Sequence, residues 1–265
     1  EVMFTGFATA PVKGEGAAVS YDTAQETYVS RYTNETVALA FAVTEEAMED
    51  NLYDTFSKLR ARGLARAMAN TKQVKGADVF NNGFSTAPAY VGGDGVAFFS
   101  ASHPTVSAGV QSNLAAAADL SEAALETVIT NIQKIKDDRN ILIGSSAVSL
   151  HIPPDLWSTA DQILHSPGST VAGGTGDGTY AQNNINAIRH MGMIPEGFFV
   201  NRRFTDTNNY YIKTDVPNGA KMFVRVPLQT KMEPDFDTGN LRFKARERYS
   251  FGFSDWRSYF GSQGS

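Results

Sequence analysis

The sequence has no cysteine, which excludes disulfides, thiolate metal sites and cysteine nucleophiles and fits synthesis in a reducing compartment. Long apolar runs are missing too: the longest, Val37 to Val43, falls far short of the ~20 residues a membrane-spanning helix needs. No positively charged stretch followed by an apolar one opens it, so a soluble chain is expected. Position 1 is Glu1 rather than methionine, and a start downstream of the translated one is the expectation. Positive charge is scarce: 23 Lys and Arg against 28 Asp and Glu leave a net charge of −5, with no global attraction for nucleic acid. No unit of about 20 to 50 residues repeats, which sets aside solenoids and propellers.

Motifs that carry chemistry are equally scarce. Gly173-Gly174-Thr175-Gly176-Asp177-Gly178 has neither the Gly-Lys-Ser/Thr ending nor the preceding strand of a phosphate-cradling loop, and it reads as a mobile loop. Asp235 to Asn240 has the look of a calcium loop, but its glycine stands at the fifth place and Arg246 occupies the twelfth, where a bidentate glutamate belongs. His103, His151, His165 and His190 include no pair at i, i+4, so each reads as a surface or packing histidine. There is no Gly-x-Ser-x-Gly elbow. No catalytic residue, cofactor or metal is expected.

What is there is a globular balance, 42 % apolar and 19 % charged over 265 residues, enough for a real core and against disorder. Residues 1–43 have the period of strands: Val19, Tyr21 and Thr23 alternate with polar positions, and Val37, Leu39, Phe41 and Val43 alternate with Thr36, Ala38, Ala40 and Ala42. Turns are expected near Asp22 to Glu26 and Thr33 to Glu35. An isolated hairpin is marginal in water, so this arm either folds back on its own domain or leans on another subunit, and the pattern does not choose.

At Thr44 the period becomes helical. Met48, Leu52, Phe56, Leu59, Gly63 and Ala67 form one stripe with Leu64 and Met68 beside it, and one long helix to about Lys72 is predicted. Thr44 suits its N-cap, and acidic residues at 45, 46, 49 and 50 crowd the positive end. Residues 76–119 read as loops with short strands. A second helix follows Ser121 with Leu125, Val128, Ile129, Ile132 and Ile135 inward; then come a buried strand Ala147 to Ile152, a short helix Asp155 to His165, and strands at Phe198 to Asn201, Tyr210 to Thr214 and Lys221 to Met232. A last strand from Leu241 makes a hairpin with the one before it. The mixture is α+β.

The last strand is the one unusual electrostatic feature: Leu241, Phe243 and Ala245 face one way and Arg242, Lys244, Arg246 and Arg248 the other. Four like charges repel unless solvated, set against DNA phosphates, or met by an acidic surface of another subunit. The first 43 residues carry Glu1, Glu15, Asp22, Glu26 and Glu35 against Lys13 and Arg31, so a neighbour's N-terminal arm is a candidate partner, with Asp22, Glu26 and Glu35 as contacts.

Several stretches together resemble the Mu-like phage major head subunit family, which has the Hong Kong 97-type capsid fold: Gly63 to Lys72 running to Phe84, Ser102-His103-Pro104, Asp137 through Pro154, Asn186 to Pro195, Lys213 to Gly219, and Asp235 through Tyr249. The order and spacing carry the likeness from about Gly6 to Phe260. The resemblance implies an N-terminal arm and extended loop at 1–43, a peripheral domain with a long spine helix at 44–105 and 219–265, and an axial domain at 106–218 with Gly173, Gly174, Gly176, Asp177 and Gly178 in an axial loop. It implies a major capsid protein that self-assembles through pentamers and hexamers into an icosahedral shell around double-stranded DNA, in the bacterial cytoplasm, with portal, scaffold or protease, and decoration proteins as partners and no membrane. An encapsulin-like compartment shares the implied fold, and a soluble hydrolase is the alternative of another class.

Overall fold

In the computed structural model residues 1–50, 53–168 and 185–265 are described, residues 53–57 by their backbone alone. The chain divides into two units. One comprises Glu1–Arg31, Phe80–Ala220 and Phe253–Ser265; the other comprises Tyr32–Val79 and Lys221–Gly252. These boundaries cut the chain differently from the division implied by the resemblance.

The second unit is built on a three-stranded sheet. Strands are numbered β1 Val2–Phe4, β2 Glu26–Val29, β3 Glu35–Val43, β4 Ala147–Ile152, β5 Phe198–Val200, β6 Tyr210–Thr214, β7 Ala220–Pro234, β8 Leu241–Phe253 and β9 Tyr259–Ser262. The order β3-β8-β7 puts β8 in the middle. β7 and β8 form the expected hairpin, closed by Asp235 N–H to the Asn240 carbonyl (2.8 Å), with Gly239 left-handed at φ +67°. β3 pairs antiparallel with β8 without a break, from Glu35 opposite Tyr249 to Val43 opposite Leu241.

The predicted long helix is two. α1 (Glu45–Glu49) stops at Asp50, and α2 runs Tyr53–Asn81, well beyond Lys72. Thr44 takes the N-cap place but makes no side-chain capping bond. Gly76 lies inside α2, and the ring of Phe251 approaches within 3.3 Å of where a Cβ would stand, so a larger residue there would press on that ring. The buried side of α2 is also displaced from the predicted stripe: Met68 is buried and Lys72 reaches Glu247 of β8 (2.5 Å) and the Tyr249 ring (5.4 Å), while Leu59 is 66 % exposed.

Gly63 faces open space with nothing within 4 Å of a modest side chain, so it marks neither close packing nor a tight approach. Gly63→Ala is therefore expected to raise stability by about 0.5–1 kcal/mol through helix propensity alone, measured by thermal denaturation.

The first unit holds a four-stranded sheet ordered β5-β4-β6-β9, parallel only at β4–β5. α3 (Glu122–Gln133) opens as predicted, with Ser121 Oγ accepting from Ala124 N–H, and buries Leu125, Val128, Ile129 and Ile132. α4 (Trp157–His165), preceded by one 3-10 turn, and α5 (Ala187–Met191) follow. Much of the core comes from chain without regular structure: Phe98 and Phe99 join Phe80, Tyr211, Phe253 and Tyr259 in a ring cluster, with Phe98 and Phe253 4.1 Å apart. The Phe99 ring fits in a slot between Gly83 and Gly261, where a Cβ on either would collide with it.

Below this cluster lies a buried polar knot. Asn113 Nδ2 donates to the carbonyls of Phe98 (2.7 Å), Trp256 and Tyr259 (both 3.0 Å), and its Oδ1 accepts from Ser100 N–H (2.9 Å) and meets His103 Nε2 (3.0 Å). His103 Nδ1 pairs with Asp94 (2.7 Å), and its ring stacks on Trp256 at 4.2 Å. Arg257 spans Asp138 and Asp255 beside that indole.

Candidate assembly interface

β1 and β2 pair antiparallel, and the ribbon they begin continues through residues 5–25. Thr5 N–H reaches the Gln25 carbonyl, Ala8 N–H reaches Asp22 Oδ2 (2.7 Å), and a turn closes between Gly14 and Ala17. The strand predicted at Val19 to Thr23 is absent: the period is there, but no strand among the described residues pairs with it, and a lone strand has no ladder to hold it. Its apolar side chains stand in solvent, Tyr21 at 97 % and, across the turn, Val12 at 99 %.

The acidic candidates divide. Asp22 binds Arg139 of its own unit (2.8 Å), and the backbone amides of Ala8 and then Thr23, followed by Arg139, hold its carboxyl below the usual range. Glu35 is paired with Lys75. Glu26, at the start of β2, is exposed and has no ion pair among the described residues.

The basic row lies where the alternation put it. Arg242, Lys244, Arg246 and Arg248 oppose Ala42, Ala40, Ala38 and Thr36 of β3, on the sheet face away from the one that Lys72 of α2 meets at Glu247. Arg242 is bound to Asp235 at the hairpin turn. Lys244, Arg246 and Arg248 have no acidic partner among the described residues, and Arg248 Nε is buried without a hydrogen bond. Sequence periodicity found this row. It gave no sign that three alanines would lie beside it, because that depends on β3 pairing with β8 rather than with β2. The candidate axial loop, Gly173, Gly174, Gly176, Asp177 and Gly178, lies outside the described residues.

His103 and Asp94 have the geometry of a base and its orienting acid, but both side chains are sealed from solvent and the second imidazole nitrogen is held by Asn113. His151 is half of no such pair: burial, with Lys213 nearby, pushes its pKa down to about 4, and it packs on Phe199 and Tyr259. Among the described residues no cluster of three or more His, Asp or Glu could hold a metal ion, and no helix is long and apolar enough to cross a membrane.

Comparison with known proteins places the chain in a family. The profile of the family described as phage capsid protein matches residues 27–260. No relative was found among the curated proteins. Similar solved structures include the capsid of a native GTA particle with C5 symmetry (TM-score 0.56, 13 % identity, 100 % of this chain and 84 % of that one). The capsid of Myoviridae phage XM1 (0.53, 12 %, 100 % and 84 %) and that of an empty GTA particle (0.52, 12 %, 100 % and 85 %) are similar as well. At such identities the structures share the fold, and the family match over most of the chain adds the role: the chain belongs to the phage capsid protein family and is a shell-forming capsid subunit of the Hong Kong 97-type fold.

Proposed function

We propose that this subunit is the major head protein of a tailed phage, closing through pentamers and hexamers into an icosahedral shell around double-stranded DNA, and that it carries no catalytic site. The observation that carries the reading is the ribbon of residues 5–25, whose apolar side chains find no cover among the described residues of their own unit. Repeated contacts of moderate strength suffice in a closed symmetric shell, since closure multiplies them. In this reading residues 1–43 act as the reaching arm, 44–105 with 219–265 as the peripheral domain, and 106–218 as the axial domain that meets its copies, with Gly173 to Gly178 at the axial loop. Assembly takes place in the host cytoplasm with portal, scaffold or protease, and decoration proteins. A net charge of −5 suits a container that must release its DNA.

The basic row is the proposed seat of a neighbour's acidic arm. Because Asp22 and Glu35 are already engaged, Glu26 and Glu15 are the carboxylates open to it. Arg246→Glu with Arg248→Glu replaces attraction by repulsion and is expected to cut particle yield about tenfold, with a smaller deficit at high salt. Electron microscopy and light scattering of the purified protein read this out. Megadalton particles from the unsubstituted chain support the shell; a monodisperse monomer under all conditions, or normal assembly of the charge-reversed variant, would remove the reading or its basic seat respectively.

A further inference from the structure

β3 is an edge strand, and apart from Arg60 at its end it carries few of the devices that usually blunt one among the described residues. Its pairing with β8 has no bulge over nine residues, and between Thr36 and Val43 there is neither a proline nor a charge. The Ala42 carbonyl accepts from Arg60 Nη1 (3.0 Å), so it points away from β8. Alternate residues of an antiparallel pair turn their polar groups the same way, which sends the N–H and C=O groups of Ala40, Ala38 and Thr36 to the same outer edge. All three residues are exposed, and among the described residues that edge has no strand on it. In a lone molecule this would be a hazard.

The ribbon has the complementary defect, a strand pattern without a ladder. Between the turn at Gly14–Ala17 and the anchor at Asp22, Ala18 and Ser20 form a small polar row and Val19 and Tyr21 an apolar one. Resting on the shell-forming reading, we infer that residues 18–21 of a second copy add as a fourth strand to the free edge of β3. The two faces then match. Val19 and Tyr21 fall on the sheet face of Val37 and the half-exposed Leu39, while Ala18 and Ser20 fall beside Ala38 and Ala40.

The alanines explain the charge. A strand added to β3 lies two spacings from β8, about 10 Å, and only small side chains stand between them. Lys244, Arg246 and Arg248 can lie across Ala40, Ala38 and Thr36 to reach Glu26, on the row that continues from Ser20, while Asp22 of that row stays with Arg139. A row of larger residues in β3 would lift them away. The edge supplies backbone hydrogen bonds and the faces supply register, the division of labour of strand addition.

The absence of native cysteine makes a disulfide test clean. Chains carrying Ser20→Cys with Ala38→Cys, or Ser20→Cys with Ala40→Cys, are assembled and then oxidised; the control is Ser20→Cys with Leu39→Cys, whose side chains fall on opposite faces. A reducible multimer ladder from either of the first two chains, and none from the control, is the expected result. Three results would overturn the pairing: a cross-linked monomer of altered mobility, a ladder equally strong in the control, or no cross-link in particles seen by electron microscopy. The last would leave the shell itself standing, whereas an unsubstituted chain that forms no particles would bring down both. Should the cysteine chains not assemble, Ala40→Pro removes one outward N–H and leaves the β8 side intact. With an unchanged melting temperature it should lower particle yield about tenfold, and full assembly of this variant would overturn the pairing.

Discussion

Asn113→Ala is expected to destabilise the subunit by about 4 kcal/mol, a fall of roughly 8–15 °C in melting temperature. The side chain is fully buried and saturates its hydrogen-bonding capacity, tying three carbonyls from two distant stretches, Phe98 and the Trp256–Tyr259 segment, to one amide. Alanine leaves those carbonyls, the Ser100 N–H and one nitrogen of His103 to find partners in a site closed to solvent. Each orphaned buried group costs about 1–3 kcal/mol, and neighbouring losses overlap, which sets the figure. Asn113→Asp should not rescue, because it aims an oxygen at three carbonyl oxygens. Differential scanning calorimetry checks this; a shift under about 3 °C would mean that the carbonyls are satisfied without the amide.

That knot shows where sequence reading stops. Elements whose burial pattern is local were legible: β4 and β6 have the predicted limits, α3 starts at its predicted cap, and the β7–β8 hairpin turns at the predicted residues. Residues 76–119 were expected to be loops with short strands; 76–81 belong instead to α2, and the rest is loop with isolated bridges, yet Phe98, Phe99, His103 and Asn113 are among the most buried of the described side chains. Period analysis has no purchase on such a segment, since its residues are held by single backbone and side-chain bonds rather than by a repeating ladder. Only the resemblance, through Ser102-His103-Pro104, pointed there.

The assembly surface was legible in its parts and not in its pairing. Alternation located the basic row, and composition located an exposed arm. What the period could not fix is which strand lies beside which: it left open whether the arm folds back on its own domain or leans on another subunit, and β3 lies against β8, some 200 residues away in sequence. A strand of alternating Val, Leu and Phe with alanines fits any edge that offers an apolar face, so its partner is chosen by packing under α2 rather than by local signals. The same reasoning applies to Leu59 and the Val19–Thr23 stretch. Leu59 was placed on the apolar stripe of the helix and Val19 to Thr23 in a strand, and both are exposed in the single chain.

Arg257→Met is expected to cost about 3–5 kcal/mol at neutral pH, the usual penalty for breaking a buried pair by removing one partner. Arg257 is 3 % exposed; its Nη2 binds Asp138 at 2.8 Å, its Nε donates to the Lys136 carbonyl at 3.1 Å, and its guanidinium lies over the Trp256 ring. Methionine keeps the volume and the indole contact but leaves two buried carboxylates facing one another. Burial already raises the Asp255 pKa against the pull of Arg257, and without the guanidinium it should rise further. A carboxyl whose folded pKa lies above its unfolded one costs stability at neutral pH, and the cost fades as pH falls through the folded value. The deficit of the variant should therefore shrink between roughly pH 7 and pH 5, where the unfolded chain still holds its carboxylates charged. Adding Asp138→Asn should recover part of the loss at pH 7 and flatten that dependence, since one of the two stranded charges is gone. Urea denaturation of the three proteins at both pH values separates this from simple loss of packing, which would leave a deficit that does not move with pH. Arg257→Lys should recover little, because one ammonium cannot span Asp138, Asp255 and the carbonyl together.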